Sequence, residues 1–168
     1  MNIIKYKTTK DGLTRLATEL KSVSKKKVKV GAFNGDHAWL AGIHEYGCNI
    51  EVTPKMRAFL HRQGLHLKNS TTHIHIPERS FLRAGHDKNV DKIMKQTSRA
   101  IALVVEGKMS MDEVLDLYGQ QMATAIKTYA VQLSKPENHP YTIEQKGSSN
   151  PLVGTESSMI EGIIWKVE

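Results

Sequence analysis

The chain has 168 residues and a formal net charge of +7, enough for one domain with a real core and tight for two. No apolar run reaches the 18 or so residues of a membrane span, no basic-then-apolar leader opens the sequence, and the lone Cys48 has no internal disulfide partner, so folding in a reducing cytoplasm is the expectation. The charge is one-sided: residues 1 to 30 carry nine Lys and Arg against Asp11 and Glu19, while the other 138 residues balance at fifteen of each sign.

In chain order, residues 2 to 7, with Ile3, Ile4 and Tyr6, predict a short first strand. Leu13, Leu16, Ala17, Leu20 and Val23 recur at helical spacing and predict an amphipathic helix over 10 to 24 with that stripe facing inward. Lys27 to Phe33 alternates with period two, which places Val28, Val30 and Ala32 on a buried face and the lysines outside. Asn34-Gly35 marks a turn, and Asp36 is placed to cap a helix that runs to about Tyr46 and stops at Gly47. Trp39, Leu40, Ile43 and Tyr46 form its apolar side, with His44 and Glu45 toward an edge or a neighbour.

A strand is expected at Ile50 to Val52. Thr53-Pro54 then has the form of a cap followed by proline at the first helical position, opening a small helix through Met56, Phe59 and Leu60 that ends near Gly64. About 64 to 77 reads as a projecting arm, polar and turn-rich at first and then alternating His73, Ile74, His75 and Ile76. Ala84 to Asp87 looks like a break capped by Asp87, after which Val90, Ile93, Met94, Thr97, Ile101 and Val104 mark a helix to about Val105. Gly107 ends it. Ser110 to Glu113 has the form of a capping box, and the stripe Met111, Val114, Leu115, Tyr118, Met122, Ala125, Tyr129 and Leu133 makes a second long helix, antiparallel to the first or continuing it as a bent rod. Residues 135 to 150 read as a loop interrupted by Tyr141 to Ile143, and Met159 to Val167 as a strand tied into the sheet begun by Val28 and Val30. The whole predicts a single α+β domain: a small mixed or antiparallel sheet against amphipathic helices, with two long helices in the C-terminal half.

Catalytic constellations are not found in this pattern. His73-x-His75 places two imidazoles on one strand face, but a zinc site needs a third ligand and none is near in sequence. His44-Glu45 lacks the second histidine of the metalloprotease helix, Gly147-Ser148-Ser149 lacks the lysine and helix of a phosphate loop, and Cys48 reads as a small buried thiol. No metal or cofactor is expected. The basic segment, with Lys25, Lys26, Lys27 and Lys29, suits a solvated helix end or a face turned toward nucleic acid, and its few aromatics argue against base stacking. Two rival functions follow from these features alone: a basic nucleic-acid-binding module, and a metal-dependent hydrolase built on His73 and His75.

The most distinctive stretch is Ile76-Pro77-Glu78-Arg79-Ser80-Phe81-Leu82-Arg83, taken with Ile43-His44-Glu45-Tyr46-Gly47. Apolar anchors interleaved with charges suit a subunit contact. These two motifs, Thr53-Pro54-Lys55-Met56-Arg57 between them, and a C-terminal block of Thr142-Ile143, Lys146-Gly147 and Asn150-Pro151-Leu152-Val153-Gly154-Thr155 resemble the tail-completion, or neck, proteins of tailed bacteriophages, also described as minor tail or head-tail joining proteins. The resemblance spans about residues 28 to 167 at sparse positions, and it departs where Gly154-Thr155-Glu156 stands in place of the family's Asp-Thr-Gly.

What the resemblance implies is a non-enzymatic virion protein at the tail neck, made and assembled in the bacterial host cytoplasm. It would form a homo-oligomeric ring, expected to be a hexamer, that completes the head-proximal end of the tail and meets the tail tube or terminator protein and the head connector. On that basis His44, Glu45, Tyr46, Glu78, Arg79, Phe81 and Arg83 are the candidate interface residues: Phe81 and Leu82 would anchor the loop to the subunit's own core, and Glu78, Arg79 and Arg83 would be offered across the interface. Lys25, Lys26, Lys27 and Lys29 are the candidates for facing the channel through which DNA passes.

Overall fold

The computed structural model describes residues 10–154 and 158–168, so the strand expected at 2 to 7 lies outside the described residues. In chain order the elements are α1 (Lys10–Val23), β1 (Val28–Ala32), α2 (Gly35–Tyr46), β2 (Cys48–Glu51), α3 (Pro54–Arg62), β3 (His73–Ile76), α4 (Phe81–Ser98), α5 (Ala100–Val105), α6 (Met111–Gln132), α7 (Pro140–Lys146), α8 (Ser158–Glu161) and β4 (Ile163–Val167). This is the expected α+β architecture, with the strands of the described residues divided between two antiparallel pairs, β1 with β4 and β2 with β3.

The sheet begun at Val28 is closed by the C-terminal strand as the β-former content required, in register Val28 to Val167, Val30 to Trp165 and Ala32 to Ile163. It lies on α6, where Gly119 admits Trp165: a Cβ on Gly119 would sit 2.4 Å from the indole Cδ1. The Trp165 Nε1–H donates to Asp116 Oδ1 at 2.6 Å, which satisfies the one polar atom of that ring.

The long helices are an antiparallel pair, the first of them made of α4 and α5. The start of α4 meets the end of α6, with Gly85 against Ile126, and the end of α5 meets the start of α6, with Ala100 and Val104 against Met111 and Val114. The expected break at Ala84 to Asp87 does not occur, and Asp87 caps nothing: α4 runs through it because Gly85 is a packing glycine, its missing side chain letting the helices approach to 3.2 Å between a notional Cβ and the Ile126 Cα. Ser110 and Glu113 form the reciprocal capping box that their spacing predicts.

Two cores result. The larger gathers Ala41, Phe81, Ile93, Met122, Ile126, Leu152 and Ile163 among others, and the smaller has Leu16 and Val23 of α1 packed on Ala100, Val104, Met111 and Val114. Only part of the α1 stripe turns inward, since Leu13 and Leu20 are 58% and 48% exposed.

Four further expectations change. Asp36 lies inside the first turn of α2, and Asn34 occupies the cap position without a side-chain bond. The loop at 135 to 150 contains α7, for which His139 accepts from the Tyr141 N–H, Pro140 takes the first turn and Gly147 closes in the left-handed region. Met159 and Ile160, expected in a strand, sit in the short α8 with both side chains buried. Cys48, expected to be buried, is half-buried at the head of β2.

The arm is larger than 64 to 77. It comprises β2, α3 and β3, whose main packing is of β2 on β3, and residues 48–76 include no buried residue. Within it the Thr53 side chain caps α3 by accepting from the Met56 N–H, and Arg57 draws the following loop onto the helix by donating to the Leu67, Lys68 and Thr71 carbonyls.

Candidate functional site

The two motifs singled out in the sequence meet where the arm joins the domain. Gly47 ends α2 at φ +68° and lies so close to the returning chain that a Cβ would be 2.8 Å from both Glu78 N and Ile76 O. Only glycine meets both conditions, which explains its place after the His-Glu-Tyr run. Directly beneath it, the Arg79 N–H donates to the His44 carbonyl at 2.7 Å and fastens the end of α2 to the start of α4.

Glu45 is the hinge of this joint. Ser80 occupies the N-cap of α4 but makes no cap bond with its side chain. The Glu45 carboxylate, 2% exposed, does that work from another helix: it accepts from Leu82 N–H at 2.8 Å, Arg83 N–H at 3.1 Å, Ser80 Oγ–H at 3.2 Å and Arg83 Nε–H at 2.8 Å. An anion held on the free N–H groups of a helix start is favoured by both hydrogen bonding and the helix dipole. Arg83 also donates to the Glu45 carbonyl and to Glu78 Oε1 at 2.7 Å, and its guanidinium carbon lies 4.8 Å from the centre of the Tyr46 ring. Its pKa is raised, first by the bond to Glu45.

Arg79 turns the other way. Only 4% exposed, it donates to the Pro136 and Glu137 carbonyls and to Asn138 Oδ1, with His44 Nδ1 at 3.4 Å. Beyond it Lys146 donates to the Asn150 and Pro151 carbonyls, while the Asn150 side chain donates to the Val131 and Leu133 carbonyls and accepts from the Leu152 and Val153 N–H groups. The C-terminal block is thereby sewn to the end of α6 and to the joint. Burial, with Arg79 and Lys146 nearby, pushes the His44 pKa down to about 4. Burial likewise lowers Arg79, and burial together with Arg79 lowers Lys146.

The expected interface set therefore divides. Phe81 is fully buried as an anchor, with Leu82 half-buried beside it. Glu45 and Arg79 are struts within the chain and not groups offered to a neighbour, because both are buried with their hydrogen bonds made to backbone and side-chain groups of the same chain. His44 is half-buried against them. Tyr46, Glu78 and Arg83 remain at the surface, Tyr46 at 68% exposure. Beside them on α2, Trp39 is 70% exposed and Leu40 38%, where the sequence suggested an inward apolar side; the core takes Ala41 and Glu45 from this helix instead. Sequence reasoning missed Asn150 and Lys146 as clasp residues; the signal was an Asn directly before a proline, a favoured start for a side-chain-bonded turn.

The basic segment also divides. Lys26 pairs with Asp112 at 2.6 Å and Lys29 pairs with Glu168, while Lys25 and Lys27 have no ion pair among the described residues. His73 and His75 are exposed on β3, bonded to Thr72 Oγ1 and Asn49 Oδ1, and among the described residues no three His, Cys, Asp or Glu converge as a metal site would need. No helix among the described residues is long and apolar enough to cross a membrane. Comparison of the chain with protein-family models, curated proteins and solved structures gives no match.

Proposed function

We propose that this chain is a structural, non-enzymatic component of a bacteriophage virion, which completes the head-proximal end of the tail and joins it to the head connector as a ring, expected to be sixfold. One observation carries the reading. Two of the motifs that give the resemblance to tail-completion proteins, 43–47 and 76–83, meet at a single joint bordered by the C-terminal block, while 53–57 lies out on the arm, and Trp39, Leu40 and Tyr46 are left exposed on α2, the helix that ends at this joint. Large aromatics held on a fixed scaffold and rimmed by charge suit a protein contact. A closed ring needs such a patch on each subunit facing a different patch on the next.

The test is to incubate the purified full chain with phage tail tubes and examine both by negative-stain electron microscopy. Rings, or density at one end of the tube, are expected, and Trp39→Ser with Tyr46→Ser is expected to abolish tube-end density while the circular dichroism spectrum is unchanged. A chain that ignores tubes yet binds duplex DNA tightly as a monomer would place it instead among basic nucleic-acid-binding modules.

A further inference from the structure

The arm carries a feature that the assembly role does not use. From 52 to 77, 26 consecutive residues contain no Asp or Glu, while Lys55, Arg57, Arg62 and Lys68 and four of the eight histidines fall within them. The fold gathers much of this charge around one cleft of about 880 Å³ between α3 and the loop that follows it. Arg57, Arg62, His61, His66 and Asn69 supply its polar lining, and among the described residues no carboxylate lines it. His61 and His66 meet edge to face with their Nδ1 atoms 2.7 Å apart, so one ring donates to the other and the pair is fixed in the cleft wall. Arg57 is held by three backbone carbonyls, which locks its position and leaves its charge uncompensated, and neither Arg57 nor Arg62 has an ion pair among the described residues.

We propose that this cleft seats the phosphodiester backbone of duplex DNA. Arg62, the two imidazoles and Asn69 offer donors on one concave wall that match phosphate oxygens, Arg57 adds its charge although most of its donors are taken by backbone carbonyls, and a lining without carboxylates keeps the local potential positive. A metal ion is disfavoured between two guanidinium groups with only two imidazoles converging on it. An acidic protein surface fits less well, because the apolar lining is Pro54, Ala58 and Leu67, with no deep aromatic pocket for a protein anchor. Contact is to phosphate alone and is therefore independent of sequence. This moves the DNA-facing role from Lys25, Lys26, Lys27 and Lys29, two of which are spent on carboxylates, to the projecting arm.

Fluorescence anisotropy of a labelled duplex of arbitrary sequence, titrated with the full chain across a salt series, tests this. Wild type is expected to bind with a Kd of about 10⁻⁴ to 10⁻⁶ M at physiological salt, weakening as salt rises. Arg62→Glu, in the cleft wall, with Lys68→Glu, exposed on the loop between the lining residues Leu67 and Asn69, should lower affinity about tenfold and reduce the salt slope by about 2, while Lys25→Glu with Lys27→Glu changes affinity less than about twofold. Arg62→Gln with Lys68→Gln, which removes charge without reversing it, should give the same ranking at smaller size. The proposal is overturned if wild type does not bind, if the arm reversal costs less than about threefold, if the N-terminal pair costs more than the arm pair, or if polyglutamate of matched charge displaces the duplex. Tube-end density should be unchanged in the arm variants, so failure here leaves the assembly reading standing.

Discussion

Replacing Glu45 by alanine removes one carboxylate and orphans four donors at the start of α4. The Leu82 and Arg83 N–H groups at the first turn of α4 lose their acceptor, as do the Ser80 hydroxyl and the Arg83 Nε–H. A hydrogen bond to a charged group contributes about 1.5 to 3 kcal/mol, and a lost helix cap costs about 1. Arg83 is half-exposed and keeps Glu78, so its share is small and water replaces part of the rest. The net expectation is a loss of about 3 kcal/mol, or about 6 to 12 °C in Tm for a domain of this size. Glu45→Gln keeps the shape and one acceptor oxygen and should cost about 1 to 2 kcal/mol. Urea unfolding followed by far-ultraviolet circular dichroism reads this as a lower midpoint at unchanged slope. A Glu45→Ala variant within about 0.5 kcal/mol of wild type would mean that the buried carboxylate capping α4 is not what holds the joint.

Three other outcomes follow from the same geometry. His44 is held neutral in the fold, with a pKa of about 4 against 6.5, so the unfolded chain takes the proton first: its contribution is full above about pH 6.5 and lost as pH falls toward 4. After allowance for its partial exposure this is roughly 2 kcal/mol, and His44→Gln should flatten the fall in Tm between pH 7 and pH 4.5; an unchanged slope refutes the assignment. Gly47→Ala should destabilise by about 2 kcal/mol or more, since it meets both a positive φ and two backbone atoms at 2.8 Å, whereas Gly35→Ala, with open space around it, should be neutral or gain about 0.5 kcal/mol in the same melts. Arg79→Ala should cost about 2 to 3 kcal/mol of folding stability and Arg83→Ala, at an exposed position, clearly less, unlike two interchangeable interface arginines, whose replacement would leave the two melts alike.

What the sequence made legible is what local chemistry decides. Alternation found β1, the capping box found α6, Thr53-Pro54 found α3, and Gly47 was recognised as a helix stop, because in each case the signal lies within one turn or one strand of the residue it governs. Failures came where a distant partner sets the meaning of a residue. Gly85 reads as a breaker until Ile126 lies against it, and Asp87 then loses the end it was to cap. Glu45 reads as a surface acid on a short amphipathic helix, since nothing in its neighbours says that α4 will start beneath it with an uncapped N-terminus; Arg79 reads as an exposed arginine until the chain at 136 to 138 returns over it. The same logic explains Trp39. An apolar residue at core spacing is assumed to be buried, but the inward face of α2 is filled by Ala41 and the Glu45 cap, so the largest side chain of the helix is displaced to the surface. A helix that buries its carboxylate and exposes its tryptophan has inverted the usual partition, and that inversion is stable only because α4 supplies four donors to the acid. Joint and exposed patch are therefore one design: the bonds that fix α2 on α4 also fix the direction in which Trp39 and Tyr46 point, so weakening Glu45 should reduce the proposed tube-end density as well as folding stability.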